Sequence, residues 1–232
     1  MGAALMSEGI TIIVDVLRFT SAVEAATSRG AVVFPYRWAD DGAQDYAESV
    51  DAALANSSQR DGPSLSPRSL LTLEPEDRVV LPSPNGATCA LLAARAGSTV
   101  IASCLRNADA VGRELEDYEG LITVVACGER WPDGTLRPAL EDLLGAGAVL
   151  SKLGGQPSLD ARSAIAAWSD AQHRVAAAII SCSSGEELQR KGATDDVIYC
   201  SQVNVSRVVP VLINGAFRSA SPGELLRNAI NK

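Results

Sequence analysis

ITIIVDVLRFTSAVEAATSRGAVVF, residues 10–34, is the stretch on which the fold turns. Ile10–Val14 is short, β-branched and continuous, the pattern of a strand covered on both faces by helices. Asp15 stands at its end, and Val16–Phe19 form a turn. Thr20 or Ser21 is placed to cap a helix running to about Ser28. Gly30 falls where a left-handed residue ends a helix, and Ala31–Phe34 is a second strand. Strand, helix and strand in this order predict a right-handed crossover and a parallel pair.

The alternation continues outward. Arg78–Leu81, Thr99–Ser103 and Leu121–Ala126 read as strands, the last of them buried on both faces. Helices are expected over Cys89–Ala96, after the lead-in Cys104–Ala108 to near Asp117, and over about Leu140–Lys152. Asp40–Ala55 reads as an amphipathic helix with Tyr46, Val50 and Leu54 on one face. Beyond Gly154–Pro157 the pattern gives helix over most of Leu159–Ser181, then Ser183 to Gly192 and Asp195–Gln202. Val208–Leu212 is a late strand, and Ser221–Asn231 a surface helix with Pro222 in its first turn. The expected architecture is a three-layer α/β/α domain with a mostly parallel sheet, spanning residues 1–232. The place where it could divide into two α/β subdomains is near residues 153–157.

Composition narrows the function. Of 232 residues, 47% are hydrophobic but only 4% aromatic, so the core is aliphatic. A formal charge of −8 argues against nucleic-acid and anionic-membrane partners. An acidic protein that handles an anion must gather positive charge locally, from Arg, a metal or helix N-termini. Cys89, Cys104, Cys127, Cys182 and Cys200 show no CxxC spacing and read as buried thiols in a reducing compartment. No basic segment with an apolar core opens the chain, and no apolar run approaches the ~20 residues of a membrane span. A cytoplasmic location is therefore expected. A homodimer suits a chain of this size, although no residue requires one.

The polar residues collect at strand ends, where ligands of open α/β sheets bind. Asp15 and Arg18 follow the first strand, Asn85-Gly86 another, and Arg106-Asn107 another. GERWPDGTLRPALED, residues 128–142, follows Leu121–Ala126 with two arginines and the acids Glu129, Asp133, Glu141 and Asp142. Acids, Arg and Gly in this density suit a divalent cation held beside an anionic substrate. The competing reading is a solvated loop ending in a helix cap. Asn85-Gly86 before a helix has the outline of a phosphate loop without P-loop or GxGxxG spacing. The loop Asn56–Ser69 holds Ser66-Pro67-Arg68-Ser69, a phosphate-gripping turn or plain surface. His173 is the single histidine, on an Ala-rich helix, and reads as structural.

Several of these blocks together resemble the 2-phosphosulfolactate phosphatase family. They are DVLRFTS (residues 15–21), SPNG (83–86), CLRNA (104–108), GERWPDG (128–134), EDLLGAG (141–147) and CSSG (182–185). The resemblance runs from about Ile10 to Phe217, with the blocks in the family's order. It implies a Mg²⁺-dependent phosphatase of α/β architecture that converts 2-phosphosulfolactate to 3-sulfolactate, a step toward coenzyme M. Between Ala47 and Leu70 the chain departs from the family pattern, keeping only Ser66-Pro67 of a Gly-Asn-Ser-Pro loop. That leaves the substrate more open than the reaction type.

On this reading Asp15, Glu129, Glu141 and Asp142 are candidate Mg²⁺ ligands. Arg18, Arg106 and Arg130 are candidate clamps on phosphate or sulfonate oxygens. Asn85-Gly86, Asn107 and Ser183 supply further substrate contacts, through backbone amides at Asn85-Gly86 and Ser183–Gly185. Asp15, Arg18, Glu129 and Arg130 form the expected catalytic group. A metal-activated water is favoured over an aspartyl phosphate, because Asp15 is followed by Val16-Leu17 rather than the Asp-x-Asp usual for that nucleophile. The alternative from another class is a non-catalytic anion-binding module on the same fold.

Overall fold

The computed structural model describes residues 9–38, 40, 42–56, 62–131 and 133–220. The helix expected over 221–231 lies outside the described residues, as does part of the 56–69 loop. One eight-stranded sheet dominates. Its order is β3 (Ala53–Leu54), β4 (Arg78–Pro82), β2 (Val32–Tyr36), β10 (Ala216–Ser219), β9 (Pro210–Ile213), β5 (Thr99–Ser103), β1 (Ile10–Val14) and β6 (Ile122–Ala126).

β1 pairs in parallel with β5 and β6, and β4 pairs in parallel with β2 and β3. The β9–β10 hairpin stands between these halves, with β9 antiparallel to β5 and β10 antiparallel to β2. Three consecutive antiparallel ladders invert the strand sense, so β1 and β2 run in opposite directions and are not neighbours. The parallel β1–β2 pair expected from the sequence is not formed, because a hairpin from the far end of the chain takes the place between them. Its turn, Asn214 (φ 51°) and Gly215 (φ 83°), carries the Asn-Gly signal of a tight hairpin.

Helices cover both faces, as the three-layer reading expects. On one face α1 (Phe19–Ser28) and α4 (Gly86–Arg95) bury Phe19, Val23 and Ala90 against Ile13, Val100 and Phe217. On the other, Ile10, Ile12 and Val14 meet Val111 of α5 (Ala108–Glu114), Leu144 and Val149 of α6 (Leu140–Leu150) and Trp168 of α7 (Leu159–Ala171). α2 (Gly42–Ser49) adds Ala47 to Val32, Phe34 and Val80. Odd and even residues of β1 thus enter different cores, as the period of two requires. α6 and α7 pack so closely that a Cβ on Gly147 would lie 2.2 Å from the Ala164 carbonyl oxygen.

Several boundaries differ from expectation for identifiable reasons. β6 is an edge strand, mostly half-buried, with Leu121 61% exposed beside it. An apolar β-branched run does not tell an edge from a centre, whereas β1 and β5 are buried throughout. The helix expected over Asp40–Ala55 ends at Ser49, since Asp51 turns to φ 50° and releases Ala53–Leu54 to pair with β4. Thr20 and Ser21 are not caps. They lie inside α1 and donate their hydroxyls back to the Asp15 and Val16 carbonyls. Gly30, at φ 81°, ends α1 as expected. The long helix after Pro157 breaks at a 3-10 turn, Gln172–Arg174, where His173 is exposed, before α8 (Val175–Ser181). The five cysteines form no disulfide, and four are buried. No helix among the described residues is long and apolar enough to cross a membrane.

Candidate active site

Asp15 leaves the carboxyl end of β1 directly between two helix N-termini. Its Oδ1 accepts the N–H of Phe19, first residue of α1 (3.1 Å), and its Oδ2 accepts that of Gly86, first residue of α4 (2.9 Å). These are donors a helix cannot satisfy internally, and they hold the carboxylate in one orientation. α4 follows β4 in the chain but packs across β1, β5 and β2, which carries Asn85-Gly86 to Asp15 from the other half of the sheet. The approach is tight. A Cβ on Gly86 would sit 2.4 Å from Phe19 Cδ1 and 2.7 Å from Asp15 Oδ2.

Asp142, in the first turn of α6, reaches back with both oxygens, accepting the Val16 N–H (2.8 Å) and the Gly128 N–H (2.9 Å). It therefore ties the ends of β1 and β6 together. Glu141 beside it is 2% exposed, and after burial its charge helps to raise the Cys182 thiol, which donates to the Ile179 carbonyl. Glu129 begins the short hairpin of β7 (Glu129–Arg130) and β8 (Leu136–Arg137), and Asn85 shares the cavity lining with it.

Burial pushes Asp15 up to about 7, with Glu129 and Glu141 adding repulsion against the two stabilising amides. Burial likewise raises Asp142 well above the carboxylate range, helped by the Asp15 and Glu141 charges. Glu129 is raised by desolvation. An unfolded Asp titrates near ~3.9, so between about pH 4 and 7 the folded chain holds a proton that the unfolded chain has lost. In chelator, stability is therefore expected to fall as pH rises through that window and to level off above it. The Asp15 contribution is on the order of 4 kcal/mol. Urea titrations at pH 5 and pH 8 check this, and equal or greater stability at pH 8 would contradict it.

A cavity of about 240 Å³ opens on this centre, with Asp15 and Glu129 in its lining. Arg18, Arg137 and Lys191 supply cations, Ser83, Asn85 and Ser184 polar groups, and Leu65 and Leu188 apolar edges. One face of α9 (Ser183–Arg190), continued by Lys191, lines it at helical spacing through Ser184, Glu187, Leu188 and Lys191. Arg137 donates to Ser184 Oγ (3.2 Å), pairs with Glu187 (3.5 Å) and stacks 5.5 Å from the Trp131 ring centre. Lys191 also pairs with Glu187, at 2.6 Å.

Asp15, Arg18, Asn85 and Glu129 thus meet at the cavity, with Gly86, Glu141 and Asp142 immediately behind them. Arg130, Arg106, Asn107 and Ser183 do not line it. Arg130 is exposed and donates to the Gly134 carbonyl, while Arg137, opposite Glu129 in the hairpin register, faces the cavity instead. Arg106 is committed to a buried pair with Glu24 (2.8 Å) and lies 3.6 Å from the Tyr199 ring centre. The Asn107 side chain satisfies its own turn, accepting the Cys104 N–H and donating to the Ala102 and Val208 carbonyls. Ser183 is exposed, and Ser184, one helical step round, replaces it. Arg137 could have been found from Asp133-Gly134 read as the end of a three-residue hairpin loop with Gly at the left-handed position, the form that sets Arg137 opposite Glu129. Lys191 carries no comparable signal.

The donor set is all hard oxygen, as Mg²⁺ prefers. Among the described residues no three His, Cys, Asp or Glu side chains converge as a ready-made cage. Mg²⁺ commonly takes one or two carboxylates and keeps its waters, and Asp15 with Glu129 fits that habit. Asp15 and Asp142 each accept two backbone amides, and of the two only Asp15 lines the cavity.

The fold and this mixed acidic and cationic cavity have the character of a hydrolase for small anions. A sequence model of the 2-phosphosulpholactate phosphatase family matches residues 3–215, and the chain belongs to that family of phosphoric monoester hydrolases. It is 26% identical over 218 residues to a probable 2-phosphosulfolactate phosphatase of Pseudothermotoga lettingae, covering 92% of this chain and 93% of the relative. It is 28% identical over 209 residues to the 2-phosphosulfolactate phosphatase of Methanothermobacter thermautotrophicus, covering 89% and 88%. A probable 2-phosphosulfolactate phosphatase of Thermus thermophilus is 29% identical over 221 residues, 91% of each chain.

Proposed function

We propose that this protein hydrolyses the phosphate ester of 2-phosphosulfolactate, releasing 3-sulfolactate and inorganic phosphate on a route toward coenzyme M, with Mg²⁺ held by Asp15 and Glu129. The observation that carries the reading is the cavity whose lining brings these two carboxylates together with Arg18, Arg137 and Lys191. The substrate bears phosphate, carboxylate and sulfonate, and Arg18, Arg137 and Lys191 are the cations that can meet them. Glu187 on the same lining already pairs with Arg137 and Lys191, which leaves a bound cation to supply the remaining positive charge. When bound, Mg²⁺ would neutralise charge developing on the phosphoryl oxygens and lower the pKa of a bound water.

The side chains do the rest. The guanidinium forks of Arg18 and Arg137 meet paired oxygens and hold the ester in one orientation. Two backbone amides keep Asp15 from swinging toward them. Leu65 and Leu188 limit water at the cavity edge. In the net reaction the P–O ester bond breaks, water oxygen takes its place on phosphorus, and the leaving alkoxide gains a proton.

Phosphate release from 2-phosphosulfolactate should be measured beside phospholactate, phosphoglycerates and a chromogenic phosphomonoester, with Mg²⁺ and with chelator. Chelator-sensitive release, fastest on phosphosulfolactate, is expected. Preference for another ester would move the substrate, and no release from any ester by folded protein would leave an anion-binding module.

A further inference from the structure

Arg18 reaches the cavity with one guanidinium nitrogen tied down. Its Nη1 donates to Asp196 Oδ2 at 2.5 Å, with the Arg18 side chain 20% exposed and Asp196 only 6%. The other Asp196 oxygen, Oδ1, accepts the Ser66 hydroxyl at 2.5 Å. Asp196 is in the first turn of α10 (Thr194–Cys200), and Ser66 immediately precedes α3 (Pro67–Leu70), next to the cavity residue Leu65. The neighbouring residues repeat the link, since Arg68 of α3 pairs with Asp195 of α10. Two acids at one helix start therefore grip the 62–70 segment, Asp195 through Arg68 and Asp196 through Ser66. The second of them also grips the arginine at the reaction site.

We propose that Asp196 is a positioning residue: one buried carboxylate sets the Arg18 guanidinium for the anionic substrate and couples it, through Ser66, to the 62–70 segment. A lone arginine on a turn would swing among rotamers. An ion pair to a carboxylate that is itself hydrogen-bonded leaves it one direction. Asp196 touches no reacting atom. Changes in residues 62–70 reach the anion through it, beside the direct place of Leu65 in the lining, which makes that segment a determinant of substrate binding. The inference rests on the phosphatase reading.

The test is a double-mutant cycle on the full chain with 2-phosphosulfolactate. Asp196→Asn and Asp196→Ala are expected to lower kcat/KM about 10- to 100-fold, chiefly through KM. Ser66→Ala should cost about threefold, and Asp196→Glu should recover part of the loss. Arg18→Ala with Asp196→Ala should be no slower than Arg18→Ala alone, and more heat-stable, because the buried carboxylate no longer lacks its partner. Losses that multiply, or a fall in kcat with KM unchanged, would overturn the proposal. If the wild type releases no phosphate, the phosphatase reading fails separately, and the same cycle on the Kd for 3-sulfolactate by calorimetry decides. Absence of both turnover and binding would overturn it, since no anion would remain for Arg18 to meet.

Discussion

Asp15→Asn is expected to lower phosphate release by at least about 10³-fold, the scale on which loss of a central charged group acts. The substitution is nearly isosteric, so the β1 end and both helix starts keep their places. One amide oxygen can accept only one of the Phe19 and Gly86 N–H groups that now meet the two carboxylate oxygens. The unmatched donor costs about 1–3 kcal/mol. Against this, the variant escapes the ionisation that burial and Glu129 oppose in the wild type. At pH 8 in chelator the ionisation penalty, on the order of 4 kcal/mol, exceeds that cost, and the variant should melt a few degrees higher. At pH 5.5, where wild-type Asp15 is largely protonated and itself keeps one good acceptor oxygen, that advantage should shrink. Single-turnover release together with melts at both pH values checks this. A variant keeping more than a tenth of wild-type turnover would remove Asp15 from the chemistry.

Gly86→Ala should damage both stability and turnover, although it adds a single methyl group. Its Cβ would lie 2.4 Å from Phe19 Cδ1 and 2.7 Å from Asp15 Oδ2. Phe19 is fully buried and packs edge-on against Phe217 with ring centres 6.2 Å apart, so it cannot yield into solvent. Either α4 moves away or Asp15 leaves its two amides. The expected loss is about 1–3 kcal/mol in stability and about 10²-fold in kcat, since a displacement near 1 Å is enough for that. Gly154→Ala is the control, because a Cβ there meets nothing within 4 Å. A Gly86→Ala protein with wild-type melting and kcat would show that α4 does not position Asp15.

Much of the fold was legible because its signals are local. Buried β-branched runs marked β1 and β5, Gly30 marked the end of α1, and polar residues collected at strand ends. Signals that depend on distant partners were not readable in this way. β6 has the composition of a central strand and stands at the edge. The β9–β10 hairpin, signalled by Asn214-Gly215, reverses the sense of half the sheet, and nothing in Ile10–Phe34 announces it.

The site divides along the same line. Asp15, Arg18, Asn85 and Glu129 could be named from their places after strands, and they meet at the cavity. Arg106 has the same kind of position, yet burial beside Glu24 claims it for an ion pair. Arg130 and Arg137 are equivalent in composition, and the hairpin register alone chooses between them. By itself the sequence determined the strand and helix periods, the chemistry available at each strand end and the family. Only tertiary structure decided which charges face one another, because a charge acts over a few ångströms of space while its partner, like Asp196 for Arg18, can stand 178 residues away.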